Sequence, residues 1–190
     1  MCTEHCAPGI SRRNFAGLAL AGAGLSLLPI RAQAAFKSDA LCIMCIDPRT
    51  VYSAQRFFDD PPNPVGNGGL GMGGKYDMVA LAGASLASVS LAFPTSIGAI
   101  WDHIDLAVKL HQIDKVIVMD HRDCGAFEAV YGKTSGAAEL ALHKKVMGEM
   151  KTEFNRRGLN RTLGVDFYLM PVFDPPRPPP AFLRPEKVTV

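Results

Sequence analysis

The sequence predicts an α/β domain built on a mostly parallel sheet of about five strands flanked by helices. Three observations carry that prediction. Residues 40–46, 76–82 and 115–120 are strand-length runs rich in apolar side chains on both alternating faces, as strands buried in a parallel sheet are. Segments of helical length separate those runs, and strands alternating with helices build α/β sheets. The chain of 190 residues is 48% hydrophobic, which suffices for one domain with its own core and no disulfide staples.

The chain opens on an export address. Ser11-Arg12-Arg13-Asn14-Phe15 precedes a mild apolar stretch at 16–30, and Ala32-Gln33-Ala34 has the small-x-small pattern that a signal peptidase cuts after. Paired arginines ahead of a short, glycine-diluted apolar stretch resemble a twin-arginine (Tat) signal. Gly17, Gly22 and Gly24 make the stretch a poor helix, and it is too short to span a bilayer. Residues 1–34 are therefore expected to engage the Tat export machinery and to leave the protein in the periplasm. Three further expectations follow: a domain at 35–174, a proline-rich arm at 175–190 and no membrane association once the signal is removed.

Removing the address takes Arg12, Arg13, Arg31 and Glu4 from the 20 Lys+Arg and 18 Asp+Glu, so the remaining charge balances. That balance argues against nucleic-acid binding. Cys2, His5 and Cys6 leave as well, and of five cysteines only Cys42, Cys45 and Cys124 remain, an odd set suited to metal or redox use. A cargo that crosses folded fits a thiolate metal site assembled in reducing cytosol.

The elements follow in order. A strand at 40–46 ends at Asp47-Pro48, and a helix over 50–60 is stopped by Pro61-Pro62. A glycine-rich loop runs to Gly74. Its Gly66, Gly68 and Gly71 match G-x-G-x-x-G without the flanking strand and helix of a nucleotide site, so a flexible surface loop or active-site flap is expected. Residues 76–82 form a second buried strand, and small residues at 84–96 allow close packing. Residues 97–110 carry Ile97, Ile100, Trp101, Ile104 and Val108 near a 3.6-residue period, an amphipathic helix. The clearest strand is 115–120. A helix through 126–131 and a longer one over 137–157 follow. The last strand, 165–172, is expected at a sheet edge because Pro171 cannot donate to a ladder. Proline-rich residues 175–185 read as a polyproline-like arm.

Ligands of such sheets bind beyond the carboxyl ends of the strands. Cys45-x-Asp47-x-Arg49 falls at the end of the first strand and His121-x-x-Cys124 at the end of the third. Two thiolates and one imidazole suit zinc, and three protein ligands leave the fourth tetrahedral position that catalytic zinc keeps open.

Cys-x-Asp-x-Arg, a spacer of some seventy residues and His-x-x-Cys-Gly resemble the β-class carbonic anhydrases, over roughly residues 40–172. The resemblance implies a five-stranded sheet with four parallel strands, and a homodimer or higher homo-oligomer. It also implies one zinc per chain on Cys45, His121 and Cys124, and reversible hydration of carbon dioxide to bicarbonate. Asp47 and Arg49 would be the catalytic dyad. In that reading Arg49 grips Asp47 bidentately, keeps it ionised and stops it from binding the metal. Pro48 stands where the family commonly has serine, and Ala80-Leu81 where many members have Arg-Asn. These departures bear on substrate: hydrolysis of carbonyl sulfide or carbon disulfide, or a catalytically silent zinc protein, is the alternative.

Cys42-x-x-Cys45 has the spacing of a redox pair, but on a strand these two positions face opposite ways, so Cys42 reads as a core residue. His103, His111 and His143 are expected on solvated helix faces. Ser85, Ser88 and Ser90 lack the strand-to-helix elbow of a serine nucleophile.

Overall fold

The computed structural model describes residues 37–63, 68–172 and 183–190. The expected export signal at 1–34 with Cys2, His5 and Cys6, Gly66 of the glycine-rich loop, and residues 175–182 of the expected arm lie outside the described residues. The elements are β1 (Ala40–Met44), α1 (Pro48–Asp59), β2 (Tyr76–Ala80), a 3-10 turn (Ala84–Ser88), α2 (Pro94–His111) and β3 (Lys115–His121). Then come α3 (Gly125–Tyr131), α4 (Gly136–Arg156), a short 3-10 turn (Leu159–Arg161), β4 (Gly164–Met170) and β5 (Glu186–Val188).

The described strands form one five-stranded sheet in the order β2-β1-β3-β4-β5. The first four are mutually parallel and β5 runs antiparallel to β4. The predicted class is therefore the observed one. Alternation along the strands sorts their side chains into two cores. Leu41, Ile43, Val116, Val118, Phe167 and Leu169 pack with Ile100, Trp101 and Ile104 of α2 and Met147, Met150 and Phe154 of α4. On the other face Cys42, Met44, Ile117, Met119 and Tyr168 pack with Ala54, Phe57 and Phe58 of α1. The sheet is thus the middle of three layers, and burial of each large apolar side chain contributes about 1.5–3 kcal/mol.

Four expectations change. β2 was expected to be buried, yet it is an edge strand; Met78 is 47% exposed because nothing among the described residues covers that side. β4 was expected at an edge, yet it lies between β3 and β5, and Pro171 falls just past its last residue. The edge belongs to β5, three residues assigned in the sequence to the arm, which pair through Val188, Lys187 and Glu186 with Phe167, Tyr168 and Leu169. The glycine-rich segment is no flap over its described length. Leu70 and Met72 donate their N–H groups to the carbonyls of Phe57 and Phe58 at 2.6 and 2.8 Å, and Met72 is buried. Gly69 permits that approach, since a Cβ there would collide with the Phe57 carbonyl.

The chain runs from β1 to β2 on one side and then returns to place β3 on the other. The carboxyl ends of β1 and β3 therefore flank the point where the winding changes direction, the crevice in which doubly wound sheets bind ligands.

Candidate metal centre

Cys45 follows β1 directly, and His121 is the last residue of β3. The pairing of Met44 with Met119 sets the two strand ends side by side. The short turn after His121 brings Cys124 back over them as the N-cap of α3. Asp123, in that turn, holds a left-handed φ of 52°. One donor atom from each of Cys45, His121 and Cys124 lies within 4.8 Å of the others, and all three residues are buried. The two sulfurs are 3.9 Å apart.

The donors are prepared for a cation. His121 Nδ1 donates to the Arg122 carbonyl at 2.8 Å, which leaves the lone pair on Nε2. That Nε2 is buried and has no hydrogen-bond partner among the described residues. Gly83 donates its N–H to Cys45 Sγ at 3.3 Å. Its φ of 82° suits glycine, and a Cβ there would press on Leu86 and Ala126. The Cys124 thiol lowers the pKa of Cys45 by donating to it, with His121 and the Gly83 N–H acting in the same direction against burial. The same bond, together with burial, raises Cys124. Burial opposes charge on His121, but the neighbouring Cys45 thiolate, the Arg122 carbonyl and Asp47 outweigh it and raise its pKa. Two soft thiolates, one imidazole and an orphaned buried nitrogen fit zinc or a chemically similar ion.

Asp47 caps α1, accepting the Arg49 N–H at 2.9 Å, with Pro48 in the first turn where its missing N–H costs nothing. Asp47 is thus both the N-cap of α1 and the bidentate partner of Arg49. Arg49 Nη2 and Nε donate to Asp47 Oδ2 and Oδ1 at 2.7 and 3.0 Å. This pairing holds Asp47 below its ordinary pKa against the effect of burial. Asp47 Oδ2 also lies 3.8 Å from His121 Nε2, so the carboxylate sits beside the donor cluster without joining it.

A second set of residues was not anticipated. Asp120, immediately before His121, accepts from the Ser85 N–H at 2.9 Å, the Ser85 hydroxyl at 2.6 Å and His143 Nδ1 at 2.9 Å. His143 is 1% exposed, which corrects the solvated-face expectation: it turns inward from α4 to meet Asp120, stacked 4.0 Å from the Phe127 ring. His111 also turns out to be engaged, 2.7 Å from Asp77 Oδ2. Ser85 is thus a hydrogen-bonded core residue, and Cys42, fully buried with its thiol pushed up by burial, is inert packing.

Fold and site together define a doubly wound α/β protein with a buried cysteine–histidine cluster positioned to bind a metal at the winding reversal. No family model matches the chain. It is 26% identical over 118 residues to an uncharacterised protein of Rickettsia conorii, covering 60% of this chain and 59% of that one. It is 30% identical over 125 residues to an uncharacterised protein of Rickettsia bellii, covering 66% and 65%. The chain thus spans about three fifths of the length of the curated relatives it matches. Among solved structures it is similar to a β-carbonic anhydrase of Aspergillus fumigatus, with 18% identity, 92% of this chain and 87% of that one covered, and a TM-score of 0.41. A carbonic anhydrase of Streptococcus mutans aligns with 13% identity, 91% and 95% coverage and a TM-score of 0.45. A carbon disulfide hydrolase in its apo form aligns with 11% identity, 88% and 93% coverage and a TM-score of 0.35.

Proposed function

We propose that this protein is a zinc enzyme that reversibly hydrates carbon dioxide. The observation that carries the reading is the convergence of Cys45, His121 and Cys124 within 4.8 Å beside an Arg49-held Asp47. Those five residues also carry the sequence resemblance to β-class carbonic anhydrases. Bound there, zinc supplies Lewis acidity, which lets water lose its proton near neutral pH and stabilises developing negative charge on oxygen.

The chain's own residues do the rest. Cys45, His121 and Cys124 would hold the ion, three protein ligands being the number catalytic zinc sites use. Two thiolates neutralise the dication, so water there is acidified less than it would be by three neutral histidines. Asp47 would compensate: kept ionised and aimed by Arg49, its carboxylate would accept a hydrogen bond from water there and so orient a lone pair of that water toward substrate. A groove of about 480 Å3 opens beside Cys45, lined by Met44, Ile46, Val51, Met78 and Ala80. Its mostly apolar walls, with Gln55 and Tyr76 as the polar exceptions, suit a small uncharged molecule.

Oxygen-isotope exchange between carbon dioxide and water, followed by mass spectrometry on the zinc-loaded protein, tests the reading. Exchange that depends on zinc supports it. Sulfide release from carbonyl sulfide or carbon disulfide, without exchange, would move the assignment to the isostere hydrolases, whose substrates the same groove admits. The proposal extends to residues 1–34 as a Tat signal delivering the protein to the periplasm, and to a homo-oligomeric assembly. N-terminal sequencing of the exported protein and its mass in solution test these two points.

A further inference from the structure

Among the described residues Arg49 is gripped by both Asp47 and Asp123, and only Asp47 belongs to the dyad. While Nε and one N–H of Nη2 serve Asp47, Nη2 also donates to the Asp123 carbonyl and Nη1 to Asp123 Oδ2, each at 3.0 Å. All three guanidinium nitrogens are engaged, and the planar fork is gripped from two sides. A guanidinium held at one edge can swing; one held at both is fixed in plane and direction.

The second grip is itself supported from α4. Asp123 sits at a left-handed φ of 52°, a conformation that costs a non-glycine residue energy unless its surroundings impose it. Glu139 imposes it: the Asp123 N–H donates to Glu139 Oε1, while Glu139 Oε2 accepts from Arg122 Nη1 at 3.1 Å. Glu139 is 8% exposed, and its two oxygens bind the two residues that separate His121 from Cys124. A line of contacts therefore runs from Glu139 on α4, through the turn and Asp123, to Arg49 and Asp47.

We propose that Asp123 is a positioning residue which, set by Glu139, holds Arg49 on Asp47 and so keeps the Asp47 carboxylate from competing with water or substrate for the metal. This rests on the metal-centre reading above. The left-handed turn makes a clean test available, because glycine adopts that φ without strain and asparagine tolerates it. Asp123→Gly removes the carboxylate contact and preserves the turn; Asp123→Asn keeps an acceptor for Nη1 without the charge.

The experiment is azide titration of the cobalt(II)-loaded protein, read through the visible cobalt bands and thus independent of turnover. The expected result is azide binding weakened about threefold or more in Asp123→Gly, the scale of losing one partly exposed charged contact. Asp123→Asn should fall between that variant and wild type. Adding Asp47→Ala should abolish the difference, because the competing carboxylate is then gone. Equal azide affinity in wild type and Asp123→Gly overturns the proposal, and so does a difference that persists in the Asp47→Ala background. Failure of the underlying reading looks different: wild type then shows no thiolate-to-cobalt charge-transfer band at all.

Discussion

Replacing Asp120 by alanine tests whether the buried polar cluster behind the metal ligands is structural support. The carboxyl group is completely buried and accepts from the Ser85 N–H, the Ser85 hydroxyl and His143 Nδ1 at 2.9, 2.6 and 2.9 Å. Removing it strands the backbone N–H and the imidazole N–H, while the hydroxyl can rotate in search of another acceptor. Each stranded donor costs about 1–3 kcal/mol, so a loss of about 3–5 kcal/mol is expected for the two together. For a domain of this size that corresponds to a melting temperature lower by about 6–20 °C. Asp120→Asn should cost less, because the amide retains one acceptor and the Ser85 hydroxyl can reverse its role. Urea denaturation of the metal-free protein measures both. Metal affinity should fall together with stability in Asp120→Ala, since Asp120 precedes His121 and ties Ser85, two residues beyond the Gly83 N–H donor to Cys45. A loss below about 1 kcal/mol in Asp120→Ala would refute the reasoning, since that is the worth of an ordinary solvent-compensated hydrogen bond.

Three other outcomes follow. Cys42→Ala should keep full metal stoichiometry, losing only about 1–2 kcal/mol of stability to the small cavity, whereas Cys45→Ala should lose the metal; elemental analysis separates them. Arg49→Lys should retain metal yet lower kcat/KM by about tenfold or more, because a lysine cannot grip Asp47 at two points; steady-state hydration kinetics read this. Metal affinity should decline on acidification. The raised pKa of His121 means that protons compete for it at higher pH than for an ordinary histidine, and the raised Cys124 thiol adds another proton to displace, so affinity falls toward acid by about tenfold per pH unit for each proton that binding must release. Chelator competition across a pH series checks the sign: affinity that is flat or rises toward acid contradicts it.

The legibility of this chain followed burial. β1 and β3 are central, so both faces are apolar and the strand runs stand out in sequence. β2 reads much the same although it lies at an edge, because Met78 and Val79 are apolar whether or not anything covers them; local composition does not report what lies alongside a strand. β5 was illegible for the opposite reason: Glu186-Lys187-Val188 is short and charged, and only its pairing with β4 makes it a strand. Cys45, Asp47, Arg49, His121 and Cys124 could be found because each half of the centre is a compact motif at one strand end. The support for that centre could not. Ser85, Asp120 and His143 are separated by 35 and 23 residues and meet only in the fold. Glu139 reads as one more charge on a charged helix until the turn at Asp123 closes on it. His143 was misread in the same way, since an inward-facing histidine looks like a solvated one when its buried carboxyl partner lies on another element.

The proposed function assigns carbon dioxide hydration to the Cys45–His121–Cys124 cluster with Asp47 beside it. Stopped-flow hydration by protein carrying one zinc per chain, measured beside zinc-loaded Asp47→Ala, tests it most directly. The expected rate is clearly above buffer and falls by about a hundredfold in the variant, the scale of lost positioning at the reacting atoms, with zinc still bound. A rate indistinguishable from buffer in the wild-type protein, with its zinc in place, would contradict it.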